Sequence, residues 1–301
     1  MPISIPSKSI LTTLGVISLS VLTACSGAET TSSSPATPTK AVEAVKVAES
    51  PSSAQTSQTN SVEQMRAVYG NFLRKYTTNR DGINLIAYGS VTQDDKAKLK
   101  TYIASLEARG TEGLSRDEQM AFWYNLYNAK TIDVILDAYP LKSIRKLGAL
   151  NSGPWDKKNM NVKGYGAMSL NDVEHGTLRK NWKEPRIHYA VNCASIGCPN
   201  LKATPWTAQT LETDMQQAAI DYINHPRGFR VENGKVRASK IFDWYKQDFG
   251  GNKAGILAHA RQYARGDLKT ALDSASTING FDYDWNLNLS LIHISEPTRP
   301  Y

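Results

Sequence analysis

The run Ser115-Arg-Asp-Glu-Gln-Met-Ala-Phe-Trp-Tyr-Asn-Leu-Tyr-Asn-Ala-Lys-Thr-Ile-Asp-Val-Ile-Leu-Asp-Ala138 decides the fold class of this chain. Ser115 followed by Glu118 has the form of a capping box, in which each side chain satisfies a backbone N–H of the other residue. The run ends just before Pro140, which cannot continue a helix because its ring clashes with the preceding turn. Between these signals, Met120, Phe122, Trp123, Leu126, Tyr127, Ile132, Val134, Ile135 and Leu136 cover most of the helical circumference. A helix that is apolar nearly all round is enclosed by other elements. The chain is therefore expected to build a helix-rich body around Arg116–Ala138. Asn125 and Asn128 lie on this helix, and buried amides must find hydrogen-bond partners. They fix a neighbouring loop or contact a ligand.

Working outward, Ser61-Val62-Glu63-Gln64 resembles a second capping box, and Val62, Met65, Val68, Tyr69, Phe72, Leu73 and Tyr76 follow at helical spacing. Thr92 is placed to cap a helix that breaks at Gly110. Residues 161–168 read as a small hairpin, and Ser169 as the cap of a helix carrying Glu174, His175, Leu178 and Arg179. Ile187–Val191 reads as a short buried strand, and 207–223 as an amphipathic helix. Asn233-Gly234 predicts a hairpin between 229–231 and 236–238, because that dipeptide suits the type I′ turn. Ser239 is expected to cap a helix over 240–249, with further helix at 254–264 and a last strand at 281–285. The sum is an α+β fold: a helix-rich single domain with a small, mostly antiparallel sheet.

The two ends read differently. Lys8, the apolar stretch Ile10–Val21 and Leu22-Thr23-Ala24-Cys25 resemble the signal peptide and lipobox of bacterial lipoproteins, with residues 1–25 as the signal. The apolar stretch is shorter than the roughly 20 residues a spanning helix needs. That resemblance implies acylation of Cys25 and attachment to the lipid bilayer, and Ser26 implies sorting to the outer membrane, with the body facing the periplasm. Residues 26–60 are rich in Ser, Thr, Ala and Pro, and 26–58 contain no aromatic side chain. They read as a disordered tether. A coil of this length spans roughly 30–35 Å. Residues 61–288 form the globular domain. Residues 289–301 resemble a sequencing adapter translated in frame, so His293 carries no functional weight. Without the two ends the formal charge falls from +7 to +6 through loss of Lys8, Arg299 and Glu296. This balance is mild and the signs are interspersed, which argues against nucleic acid as a partner.

Chemistry concentrates in Arg186-Ile-His-Tyr-Ala-Val-Asn-Cys-Ala-Ser-Ile-Gly-Cys-Pro-Asn-Leu201, which holds both cysteines of the mature body. Three readings are open. In an exported compartment Cys193 and Cys198 can form a disulfide that shapes the loop of a binding or scaffold domain. Closing so short a loop stabilises by only about 2 kcal/mol. Alternatively, Cys193 is the nucleophile of a hydrolase or acyl transferase acting on envelope peptide or peptidoglycan. A thiol needs a nearby imidazole or cation to ionise at neutral pH. His188 and His175 are the candidate bases. Glu174 and His175 point about 100° apart on a helix, so orienting His175 would fall to Asp248 or Asn125. Thirdly, His175, His188, Cys193 and Cys198 have the donor types of a zinc site, although no cofactor or metal is required by the pattern. Bland roles compete: His188 as a core histidine, Arg179 and Arg186 as carboxylate partners, Trp244 and Tyr245 as packing. His225 and His259 have no partner visible in the sequence.

Phe122–Ala129, Val173–Arg179, Arg186–Leu201 and Ser239–Gly250 resemble, in order and spacing, the family called domain of unknown function 547. The resemblance extends over most of residues 65–288. It implies a fold and a set of pattern residues rather than a reaction. These residues are Asn125, Asn128, Glu174, His175, Arg179, Arg186, His188, Cys193, Cys198, Pro199, Trp244, Tyr245 and Asp248.

Overall fold

A computed structural model describes residues 53–290. The signal segment, Cys25, most of the tether and residues 291–301 lie outside the described residues. Helix α1 spans Ser53–Tyr76, so it runs through Ser61 and begins inside the segment read as tether. Its Tyr69, Phe72, Leu73 and Tyr76 are buried, and Tyr69 stacks on Tyr102 of helix α2, Gln93–Arg109, with ring centroids 4.7 Å apart. Thr92 caps α2 by accepting the Asp95 N–H at 3.1 Å. Gly110 ends it at φ 61°, where a Cβ would meet the Lys163 carbonyl oxygen at 2.4 Å. Only glycine fits so close an approach in that conformation.

Helix α3 is Arg116–Ala138, with the capping box of Ser115 and Glu118 formed. Trp123, Leu126 and Ile135 have no measurable exposure, so the nearly all-round apolar pattern does mark the central helix. Helix α2, the segment 172–179 and the turn at 208–210 pack against it. Strands β1 (Thr77–Arg80) and β2 (Ile83–Ile86) are antiparallel, and so are β3 (Met160–Val162) and β4 (Gly166–Met168). Backbone pairing continues past Asn288: the Ser290 N–H donates to the Ile86 carbonyl at 2.9 Å.

The helix expected after Ser169 forms, but Asp172–Arg179 is wound as a π-helix before a single α-helical turn, α4, Lys180–Trp182. Such widened turns often occur at functional sites. Ile187–Ala190 is a helical turn, α5, and not the strand read from sequence. All four of its residues are buried. In so short an enclosed segment, an apolar run carries no period that separates strand from helix.

Helix α6, Leu211–Asn224, follows a 3₁₀ turn over Ala208–Thr210. Strands β5 (Phe229–Glu232) and β6 (Lys235–Ser239) form the expected hairpin, with Asn233 and Gly234 at φ 51° and 72°. Helix α7 is only Lys240–Trp244. Turns occupy 245–250, a shorter outcome than the helix expected to 249. Helix α8 is Lys253–Tyr263 and α9, Gly266–Ser274, was not anticipated. Strand β7, Gly280–Asp282, joins β6 in parallel. The fold is thus helix-rich α+β, with the strands of the described residues in three small, mostly antiparallel sheets rather than one.

Buried side chains form two apolar clusters. One surrounds α3; the other gathers Tyr222, Phe229, Phe242, Phe249 and Leu257 from α6–α8 and the last sheet. Helix α5 lies at their seam, with Ile187 and Ala190 in the first cluster and Tyr189 in the second. The cysteine loop leaves directly from this seam.

Candidate functional site

Asn128 anchors the start of the loop. Its amide donates to the Ala190 carbonyl at 2.9 Å and accepts the Asn192 N–H at 2.9 Å. Asn125 does the same for Trp206, donating to its carbonyl at 2.8 Å and accepting its N–H at 2.9 Å. Both amides therefore fix loops, and neither lines the cavity described below. Asn192 closes the loop on itself by donating to the Pro199 carbonyl at 2.7 Å and accepting the Ala194 N–H at 2.8 Å. The Ile196 and Gly197 N–H groups each donate at 2.8 Å to the carbonyls of Asn286 and Asp284. A Cβ on Gly197 would lie 2.9 Å from the Asp284 backbone. From behind, Tyr222 donates to the Gly197 carbonyl at 2.7 Å and Arg227 to that of Ile196 at 3.2 Å.

The loop brings the two sulfurs within 2.6 Å of each other, as free thiols. The Cys193 N–H donates to Cys198 Sγ at 2.9 Å. The Tyr283 hydroxyl lies 2.9 Å from Cys193 Sγ and 2.7 Å from Ser195 Oγ, which is 3.1 Å from the same sulfur. The thiols are not equivalent. Burial pushes the Cys193 thiol well up, and the adjoining Cys198 adds to the rise. For Cys198 burial works in the same direction, but hydrogen bonds from Cys193, Tyr283 and the Cys193 amide, with the charge of Arg227, bring it below its ordinary value. A hydrogen-bonded anion is favoured over an isolated one. The geometry thus favours a thiolate at Cys198, which accepts the Cys193 N–H, whereas the sequence made Cys193 the candidate nucleophile.

A cavity of about 500 Å³ opens in front of the sulfurs. Cys193 and Cys198 lie on its wall with Tyr283, Trp285, Trp244 and Trp155. Tyr283, Trp244 and Trp285 pack on one another with centroids 4.6–5.4 Å apart. Glu174, His188, Tyr127 and Tyr245 line another part, and Lys240 and Arg145 bring positive charge. The sequence singled out Cys193, Cys198, Glu174, His188, Trp244 and Tyr245, and the fold brings all six to this cavity. Arg179, Arg186 and His175 are not among its lining.

His188 is 3% exposed. It donates Nε2–H to Asp248 Oδ2 at 2.7 Å, while its Nδ1 lies 3.7 Å from Glu174. Its ring stacks on Tyr245 at 4.0 Å. Asp248 also takes a bidentate pair from Arg179, at 2.6 and 3.0 Å. Burial alone would raise the Asp248 carboxyl, but the bonds from His188 and Arg179 hold it well below the usual carboxylate range. Asp248 thus positions His188 and not His175. The His175 Nδ1 instead lies 3.2 Å from Arg179, and burial lowers its pKa. Arg186 pairs with Glu184 and Glu212, which is the bland role considered for it.

Two histidines that looked partnerless are bonded. His259 is buried, its Nε2 hydrogen-bonded to the Tyr189 hydroxyl at 2.8 Å, and burial pushes it down to about 4. His225 Nε2 lies 3.0 Å from the Asp81 carbonyl. Among the described residues no three His, Cys, Asp or Glu side chains converge on a metal position. The fold therefore does not gather His175, His188, Cys193 and Cys198 as one ligand set. The hydrogen-bond partners of Cys193 Sγ are Cys198, Ser195 and Tyr283, while His188 is bonded to Asp248 and His175 to Arg179.

Residues 111–223 match the family model described as protein of unknown function, DUF547. Comparison with curated proteins and with solved structures finds no match. The DUF547 segment holds α3, the π-helix, α5 and the whole cysteine loop. It also holds Arg145 and Trp155 of the cavity wall, but not the whole lining. Lys240, Trp244, Tyr245, Tyr283 and Trp285 come from the chain beyond it, as does the Asp248 that fixes His188. Tyr283, Ser195, Tyr127, Trp155, Trp285 and Arg227 were missed by sequence reasoning. Tyr283 lies 90 positions after Cys193, so no local spacing could have joined them.

Proposed function

We propose that this chain is an envelope binding protein, tethered to the outer membrane through acylated Cys25. Its cavity receives a segment of envelope peptide or polymer, and one wall is shaped by a Cys193–Cys198 disulfide. The observation that carries this reading is the pair of sulfurs, 2.6 Å apart, on the wall of an aromatic cavity. An exported compartment favours oxidation of such a pair. A concave site that combines aromatic walls with charged and amide side chains such as Glu174, Lys240 and Asn171 suits a ligand carrying both apolar and polar groups. The thiol-hydrolase alternative has the acid–imidazole half of a triad in the Asp248–His188 bond, but the partners of Cys193 Sγ are Cys198, Ser195 and Tyr283 and include no imidazole.

Alkylation of the natively purified full chain, before and after reduction, tests the disulfide. Both body sulfurs should be protected until reductant is added; thiols alkylated without it would overturn the reading. Lipid labelling should be lost in Cys25→Ser. Binding is followed by intrinsic fluorescence, since Trp155, Trp244 and Trp285 line the cavity. Envelope peptide fragments should change the emission of the native chain and not that of Trp244→Leu.

A further inference from the structure

The cysteine loop does not need a covalent bond to hold its shape. Asn128, Asn192, Tyr222, Arg227 and the backbone of 284–286 all fix it by hydrogen bonds. A bridge across Cys193 and Cys198 would therefore be free to open without unfolding its surroundings. The two ends of that bridge face different environments. Cys198 is 3% exposed and receives the Cys193 N–H, while Cys193 is only partly buried. Arg227, half-buried, bonds the loop at Ile196 and Asn200, and its positive charge favours a Cys198 thiolate.

From this asymmetry we infer a second activity for the cavity: capture of a small thiol by exchange with the Cys193–Cys198 disulfide. The inference rests on the disulfide proposed above. An incoming thiol loses its proton to solvent, and its sulfur attacks Cys193 Sγ from the cavity. The Cys193–Cys198 bond breaks, and its electron pair leaves on Cys198. A mixed disulfide between Cys193 and the small thiol forms. No external oxidant is consumed, because the bridge is the oxidised partner. Exchange is faster when the departing sulfur is the better-stabilised thiolate. Here that sulfur is Cys198, which accepts the Cys193 N–H at 2.9 Å and is favoured by the charge of Arg227. Tyr283 and Ser195, both within 3.1 Å of Cys193 Sγ, hold the attacked sulfur in place. The cavity volume of about 500 Å³ admits a metabolite-sized thiol and excludes a folded protein.

The test uses the oxidised full chain in mild detergent, treated with cysteamine, quenched with N-ethylmaleimide and mapped by peptide mass spectrometry. Cysteamine is expected on Cys193 and maleimide on Cys198 in the same molecules. In Cys198→Ser no leaving sulfur exists, so the cysteamine adduct should be lost. A folded protein with one surface cysteine should give no adduct with the native chain. Cysteamine on Cys198, an intact bridge under excess cysteamine, or equal reaction with the protein thiol would each overturn the inference. If the starting chain proves to carry free thiols, the disulfide reading fails as well; an inert bridge sinks the exchange alone.

Discussion

Asp248→Asn removes the charge that holds His188 and Arg179 together. The wild-type carboxylate accepts from Arg179 Nε at 2.6 Å, Arg179 Nη2 at 3.0 Å and His188 Nε2 at 2.7 Å. Hydrogen bonds to charged groups contribute about 1.5–3 kcal/mol each. An asparagine keeps one oxygen acceptor but turns an N–H₂ donor toward groups that are themselves donors. Removing one partner of a buried pair costs about 3–5 kcal/mol. The Arg179 and Asp248 side chains retain 27% and 25% exposure, so water recovers part of the loss. The expected destabilisation is therefore near the low end, about 3 kcal/mol. Urea unfolding at neutral pH measures it as a lowered midpoint with unchanged slope. The pH dependence supplies a second readout. The folded carboxyl titrates below its unfolded value, so its contribution is present above the unfolded pKa of about 4. It is lost as pH falls through the lower folded value, and the gap between wild type and variant should close in acid. A difference below about 0.5 kcal/mol at neutral pH, the size of an ordinary surface substitution, would refute the clamp. So would a gap that widens on acidification.

Three further outcomes follow from the same contacts. His259 is held neutral by burial, with a folded pKa of about 4 against 6.5. Its lowered value makes stability fall as pH drops from about 6.5 to 4, at about 1.4 kcal/mol per unit. Thermal melts of His259→Gln should show a flatter slope across that window than the wild type. Asn125→Ala leaves the buried N–H and carbonyl of Trp206 without their partner, and denaturant unfolding should report a loss of about 2–4 kcal/mol. Reduction of the proposed Cys193–Cys198 bridge should lower the melting temperature by about 4–8 °C. This corresponds to a loop-closure contribution of about 2 kcal/mol, and calorimetry with and without reductant checks it.

Much of the architecture was legible from local signals. The bounds of α3 follow from Ser115, Glu118 and the residues before Pro140, and those of α2 from Thr92 and Gly110. The β5–β6 turn follows from Asn233-Gly234. These are effects within a few residues, where capping bonds and left-handed backbone outweigh distant contacts. Ile187–Ala190 failed for the opposite reason: it is buried on every side, so its apolar content records enclosure and not conformation. The helix α9 carries only one fully enclosed side chain, Leu272, and its stripe was too thin to recognise.

The same division holds for the site. Composition and spacing alone determined where the sulfur lies, that a central apolar helix carries amides needing partners, and which imidazoles and carboxylates were candidates. Only the folded chain decided who meets whom. Asp248 goes to His188 rather than His175, Cys198 rather than Cys193 receives the stabilising amide, and Tyr283 arrives from the far end to complete the wall. Caps and turns are written in adjacent residues because their bonds close locally. A cavity is made by side chains converging from remote positions, and their meeting depends on how two apolar clusters pack against α5.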